Sequence, residues 1–368
     1  MIDLRSDTFT KPCKEMRKAI YNAEIGDDCY GEDTSVSMLE ERCADLFKKE
    51  RAIFMPSGTM SNQVAIKAHT EPGNEVFTHE RYHVFYYESA PTSAISGVHF
   101  NLINNPEGTI SRSDIYKAIN RKPRGPLYAK PRLLMLENTV CSLGGISFRA
   151  EELENTSQLA SKFGMAVHLD GARIYNACAS TDQSPDQFAK TCDSISMCFA
   201  KGLGAPVGSI LAGSREFISL AKTYRKWLGG AMHQSGMMAS ACLFSLDKVG
   251  MNQIKTDHDH ALHVYNELQT YFNQGFVKKP YSNMLILNCQ YLGVSPAAVI
   301  NSLREKGILV LPWDEHCIRM VFHRGVSEAE TMGLAMSISD AVSELLPVSN
   351  VKSFSLNGGR ILQTANMD

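Results

Sequence analysis

The sequence predicts an α/β fold followed by a smaller α+β domain, and three observations carry that expectation. Short continuous apolar runs alternate with amphipathic helical stretches up to about residue 213, as strands buried on both faces of a mainly parallel sheet require. After about residue 214 the pattern changes to long helices and then smaller strands, an α+β arrangement. The length of 368 residues fits about two domains.

In chain order, residues 51–56 read as a strand and 60–69 as a helix. Residues 132–137 form a second buried strand, followed by a helix at 150–163 and a strand at 165–170. Strands at 194–200 and 207–212 complete the first part. Helices are expected at 215–227, 232–248 and 252–273, then strands near 284–289, 308–312 and 317–323 with helices at 296–306 and 327–345. The expected division is a large domain at 1–250 that includes the N-terminal segment, a small domain at 251–346, and a polar tail at 347–368.

Composition narrows the class. The formal charge is −2, which disfavours a nucleic-acid binder, since such proteins need a basic surface to displace counterions from phosphates. Hydrophobic residues make up 44% and charged residues 21%, enough apolar surface to offset chain entropy. The ten cysteines show no CxxC pair and no zinc-finger spacing with histidine, so they read as reduced packing residues and no metal is expected. The start of the chain has no apolar stretch of the kind found in signal peptides, and no run is long enough to span a membrane. A cytoplasmic protein acting on a small molecule is expected, with neither a nucleic acid nor a membrane as partner.

The chemistry concentrates where buried strands end in charged residues. His168-Leu169-Asp170-Gly171-Ala172-Arg173 and Phe199-Ala200-Lys201-Gly202 both follow apolar runs, and ligands of open α/β sheets bind at carboxyl ends of strands. Lys201 with Asp170 reads either as a buried ion pair or as the lysine and acid of a pyridoxal 5'-phosphate site. In the second case the lysine carries the cofactor as a Schiff base, and the acid holds a proton on the pyridine nitrogen. Met55-Pro56-Ser57-Gly58-Thr59-Met60-Ser61-Asn62 joins a strand to a helix, and its small residues suit a phosphate at a helix N-terminus. The same Ser-Gly-Thr turn also suits an ordinary helix cap. His83, among aromatic neighbours, is either a packed core residue or a ring stacked on a flat cofactor. Ser6 and Arg319 are polar groups beside apolar runs, with Arg319 suited to a carboxylate.

These blocks resemble those of the low-specificity L-threonine aldolases, in the aromatic amino acid β-eliminating lyase/threonine aldolase group of fold-type I pyridoxal phosphate enzymes. The resemblance runs from the first residue to about residue 345. It rests on Asp3-Leu4-Arg5-Ser6-Asp7-Thr8, Gly26-Asp27-Asp28-Cys29-Tyr30-Gly31-Glu32-Asp33, Pro56-Ser57-Gly58-Thr59, Leu136-Glu137-Asn138-Thr139, His168 to Arg173, and Lys201 to Ser209. It implies a large domain with a mainly parallel seven-stranded sheet and a small C-terminal α+β domain. It assigns Lys201 to the cofactor Schiff base, Asp170 to the ring nitrogen, His83 to ring stacking, and Ser57, Gly58 and Thr59 to the phosphate. Ser6, Arg173 and Arg319 are implied to hold the substrate carboxylate, with Arg173 also near the cofactor. Tyr30 belongs to a segment implied to reach a neighbouring subunit, so a homodimeric catalytic unit, doubled to a homotetramer, is expected.

Three departures stand out. Relatives commonly read Leu-Glu-Asn-Thr-His-Asn, with that histidine on the substrate's β-hydroxyl; here the position is Val140, followed by Cys141, and valine cannot hydrogen-bond. Relatives read Gly-Gly-Gly-Met-Arg-Gln, whose arginine helps hold the phosphate; here His233 stands in that place. Glu88-Ser89-Ala90-Pro91 replaces Glu-Ala-Gly-Gly, stiffening the backbone after the stacking block. The resemblance therefore implies a lyase that cleaves Cα–Cβ of a β-hydroxy-α-amino acid to glycine and an aldehyde, or runs the reverse aldol. The alternative is a diverged relative performing β-elimination or substitution, transaldol chemistry, racemisation or decarboxylation. A degenerate, non-catalytic binding protein is the third reading, which retention of Lys201, Asp170 and the cradle disfavours. The general base is open between His83, His233 of a neighbouring chain and a water.

Overall fold

The computed structural model describes residues 1–272 and 275–346. The expected polar tail at 347–368 lies outside the described residues. Thirteen strands occur among them, numbered here in chain order. They divide between two compact units, Lys11–Met251 and a second made of Met1–Thr10 with the described residues from Asn252 onward.

The Lys11–Met251 unit holds a seven-stranded sheet. Its strands are β2 (Arg51–Met55), β3 (Glu75–His79), β4 (His99–Ile103), β5 (Pro131–Glu137), β6 (Ala166–Asp170), β7 (Ser194–Cys198) and β8 (Ser209–Gly213), in the order β2-β8-β7-β6-β5-β3-β4. Neighbours from β7 through β4 are parallel. β8 runs antiparallel to both β7 and β2. β7 (Ser-Ile-Ser-Met-Cys) and β8 (Ser-Ile-Leu-Ala-Gly) are buried along their whole length, as central strands covered on both faces must be. Phe54, Phe77 and Phe199 are among the largest side chains enclosed in this unit, and each contributes roughly 1.5–3 kcal/mol by leaving water.

β3 and β4 are strands that periodicity alone did not single out. The run Glu75-Val76-Phe77-Thr78-His79 is wholly buried but begins and ends in a polar residue. Glu75 is tolerated inside because Lys122 and Arg124 pair with its two carboxylate oxygens. The helix expected at 232–248 is Gly236–Phe244, continued by a π-type turn over Ser245–Val249.

The second unit corrects the domain boundaries. The first ten residues, expected with the large domain, pack with the C-terminal part because β1 (Ile2–Asp3) pairs in parallel with β11 (Ile308–Leu309). Leu4 lies in the same core as Leu285, Phe322 and Ile338. The single strand expected at 308–312 is two, since β12 (Leu311–Pro312) belongs to a different sheet. That sheet has the order β12-β13-β10-β9, with β9 at Val277–Lys278, β10 at Met284–Asn288 and β13 at Cys317–Val321. The helix expected at 327–345 breaks at Gly333 into Glu328–Met332 and Leu334–Ser343. No described helix is long and apolar enough to cross a membrane.

Candidate active site

The carboxyl ends of the parallel strands carry the charged residues. Glu137 is the last residue of β5 and Asp170 the last of β6, while Lys201 follows β7 by three residues. β2 leads through Ser57 into the helix Gly58–His69, and His83 opens the short helix His83–Tyr86 after β3. Ser57, Gly58, Thr59, His83, Asp170, Arg173 and Lys201, each singled out by the sequence, line one cleft.

Ser57 caps its helix: its hydroxyl accepts the Met60 N–H at 3.2 Å, and its carbonyl accepts the Ser61 N–H. The N–H groups of Gly58 and Thr59, at the first two helical positions, have no intrahelical acceptor and are available to an anion. Gly58 is glycine for a steric reason, because a Cβ there would lie 2.5 Å from Cys198 Sγ on β7.

A buried polar network that starts on the same helix fixes the charged groups of the cleft. Asn62 Nδ2 donates to Asp170 Oδ2 at 2.8 Å and to Glu88 Oε1 at 3.3 Å. Gln63 Nε2 donates to Glu88 Oε2 at 2.7 Å, and His83 Nδ1 meets Glu88 Oε1 at 2.8 Å. Asp170 Oδ1 accepts the Ala172 N–H at 3.0 Å. Burial disfavours ionised Asp170, but the positive charges of His83 and Lys201 and the Asn62 bond outweigh it and hold the carboxyl below its usual range. For His83 burial disfavours the cation, yet the Glu88 bond and the Asp170 and Glu88 charges prevail and raise its pKa. Glu137 goes the other way: burial, reinforced by the Asp170 charge, pushes it up to about 7. Its two oxygens accept the backbone N–H groups of His83 and Cys141.

A primary amine, a carboxylate held ionised, an imidazole of fixed orientation and a helix N-terminus are the groups pyridoxal phosphate needs, and the cleft supplies all four. The beta-eliminating lyase family profile matches residues 3–290. The chain belongs to this family. It is 38% identical over 338 residues to low-specificity L-threonine aldolase 1 of Arabidopsis thaliana, covering 89% of this chain and 93% of that one. Identity to the low specificity L-threonine aldolase of Saccharomyces cerevisiae is 38% over 344 residues, 92% of this chain and 86% of the relative. The threonine aldolase of Leishmania major shares the fold, with a TM-score of 0.79 at 18% identity over 94% of this chain and all (100%) of the other. The protein is therefore a pyridoxal phosphate-dependent lyase of fold type I, as the motifs led us to expect.

The other residues singled out by the sequence are not among those that line this cleft. Val140 is fully buried in the apolar core, and its N–H bonds the Ile146 carbonyl at 2.8 Å; its neighbours Thr139 and Cys141 line the cleft instead. Tyr30 is 81% exposed on the turn Asp28–Tyr30. His233 does not line its own chain's cleft and bonds Asp27 Oδ2 at 2.8 Å. Ser6 and Arg319 belong to the other unit. There Ser6 caps the turn Asp7–Phe9, and Arg319 on β13 stacks over the Trp313 ring at 4.3 Å. Asn62, Gln63, Glu88 and Glu137 were given no role from sequence. The available signal was position: Asn62 and Gln63 are polar residues one turn into a helix that leaves the phosphate cradle, and Glu88 follows His83 by five.

Proposed function

We propose that the protein cleaves the Cα–Cβ bond of a β-hydroxy-α-amino acid, releasing glycine and an aldehyde. The carrying observation is the convergence of Lys201, Asp170 and His83 in one cleft, in a chain aligned over nearly its whole length with L-threonine aldolases. Bound pyridoxal phosphate supplies the sink for the electron pair released at Cα. Lys201 Nζ is the group that would hold it covalently. Asp170 Oδ2, kept ionised and oriented by Asn62, holds a proton at the ring nitrogen. The N–H groups of Gly58 and Thr59 hold the phosphate, and Arg173 holds the substrate carboxylate.

His83 is the residue of the cleft best placed to move the hydroxyl proton. Nδ1 is committed to Glu88, so Nε2 is the nitrogen that exchanges protons. No residue of the His type stands at position 140, and substrate discrimination at Cβ falls to Thr139 and Cys141. The enzyme works in the cytoplasm as a homo-oligomer with a dimeric catalytic unit, a reading supported by ten cysteines outside any disulfide and by the exposure of Tyr30.

The test is product analysis of purified holoenzyme with L-threonine and L-allo-threonine. Glycine and acetaldehyde in equal amounts, lost in Lys201→Ala together with the visible absorbance of the bound cofactor, are expected. 2-Oxobutyrate and ammonia, without glycine or acetaldehyde, would replace aldol cleavage by β-elimination.

A further inference from the structure

Two loops far apart in sequence meet at a cluster outside the set of residues that line the cleft. Asp27, Cys29 and His233 offer one oxygen, one sulfur and one nitrogen, all within 4.8 Å of one another. We propose that these three side chains form a divalent-metal site, with zinc the fitting ion. The donor set is one that zinc takes, and borderline-soft thiolate and imidazole ligands disfavour magnesium and calcium.

The positions are held by more than chance proximity. Asp27 Oδ1 accepts the Cys29 N–H at 2.8 Å, so Oδ2 is the oxygen turned toward His233. The Asp28 N–H donates to the His233 carbonyl at 2.8 Å, tying the two loops together through their backbones. Behind them, the fully buried Arg225 anchors the turn by donating to Asp28 Oδ2 at 2.8 Å and to the Phe54 carbonyl at 2.8 Å. Bond lengths of about 2.0 Å to nitrogen and oxygen and about 2.3 Å to sulfur set ligand–ligand separations of roughly 3.3–3.6 Å in a tetrahedron. The His233–Asp27 contact of 2.8 Å must therefore open by about half an ångström, and the His233 side chain, 68% exposed, is free to do so. Lys226 Nζ lies 3.7 Å from Cys29 Sγ, and this exposed, flexible side chain must swing into solvent as a dication takes the sulfur.

Relatives that carry arginine in place of His233 have no ligand at that position, because a guanidinium is a permanent cation with no acceptor. On binding, the Cys29 thiol releases its proton to solvent and three protein bonds form, leaving a fourth tetrahedral position open. The ion would clasp the Asp27–Gly31 turn, and with it Tyr30, to the His233 loop.

The test is made on the pyridoxal phosphate-loaded enzyme, dialysed against zinc and then against metal-free buffer, with zinc counted per chain. About one equivalent is expected, falling at least tenfold in affinity in Cys29→Ser and in His233→Ala. Cobalt in place of zinc is expected to give tetrahedral ligand-field bands and a thiolate charge-transfer band, both absent from Cys29→Ser. Neither substituted side chain is buried within its own chain, and an unchanged melting temperature without metal shows that the variants fold. Zinc washed away from the parent enzyme, or retained equally by both variants, overturns the proposal.

Discussion

Gly58 offers the sharpest test of how the cradle is built. In Gly58→Ala the new Cβ would lie 2.5 Å from Cys198 Sγ, whereas ordinary contact begins near 3.4 Å. The helix start, the strand, or both must give by about 0.9 Å. Overpacking of this kind costs about 1–3 kcal/mol, although alanine is otherwise the better helix former. Because the displaced atoms carry the N–H groups aimed at the phosphate, part of the cost falls on the cofactor, and 1.4 kcal/mol is about tenfold in affinity. Titration of the apoprotein with pyridoxal phosphate, followed by absorbance, is expected to show weakening of about tenfold, with a melting temperature lowered by about 2–10 °C. Cys198→Ala removes the obstructing sulfur. The double variant is expected to recover the affinity of Cys198→Ala alone, giving a coupling energy of about 1–2 kcal/mol in the cycle. A double variant as weak as Gly58→Ala, or a Gly58→Ala protein with unaltered affinity, would refute the steric argument.

Three further outcomes are expected. Glu88→Gln removes the carboxylate that raises the His83 pKa, so the imidazole titrates at lower pH by NMR, and turnover falls about ten- to a hundredfold as the ring loses its orientation. That pair stabilises the fold fully below the ordinary histidine value of 6.5, and the stabilisation is lost as pH rises through the elevated value. The melting-temperature advantage of the parent over Glu88→Gln should therefore shrink toward alkaline pH. Glu137, raised to about 7 by burial, takes up its proton in the folded state first, so stability falls as pH climbs from about 4.5 to 7, and calorimetry of Glu137→Gln should show a flatter pH dependence there. Arg225→Met strands the buried Asp28 carboxylate and the Phe54 carbonyl, costing about 3–5 kcal/mol, which thermal unfolding should register as a loss of about 6 °C or more.

The central strands and their terminal charges were legible because a buried strand spells itself as an apolar run, and Asp170 and Lys201 interrupt two such runs. β3 was hidden by the same logic: Glu75 looks like a surface residue until Lys122 and Arg124 are seen to neutralise it, and they come forty-seven and forty-nine positions later in the chain. The N-terminal strand was placed with its sequence neighbours, but a two-residue strand is too short to declare its partner, and β1 pairs with residues about three hundred positions away. In the cleft, sequence pointed to the groups that carry chemistry and missed those that hold them. Glu88 serves His83, Asn62 and Gln63 at once, a role set by three separate backbones meeting, which no local pattern encodes. Val140, whose place in a motif suggested a seat at the substrate, is buried in the apolar core between Thr139 and Cys141, which line the cleft.

The antiparallel placement of β8 has a bearing on how the enzyme is made. β2 has one neighbour in the sheet, β8, which ends at Gly213. A growing chain on the ribosome must therefore leave residues 51–55 unpaired until more than 150 further residues have emerged. The cradle that follows β2 cannot be set against Lys201 before then, and such long-range closure is slow. The nascent chain thus has no competent vitamin site for most of its synthesis. Capture of the cofactor falls at the end of folding, where it can act as the final lock on the sheet rather than as its nucleus.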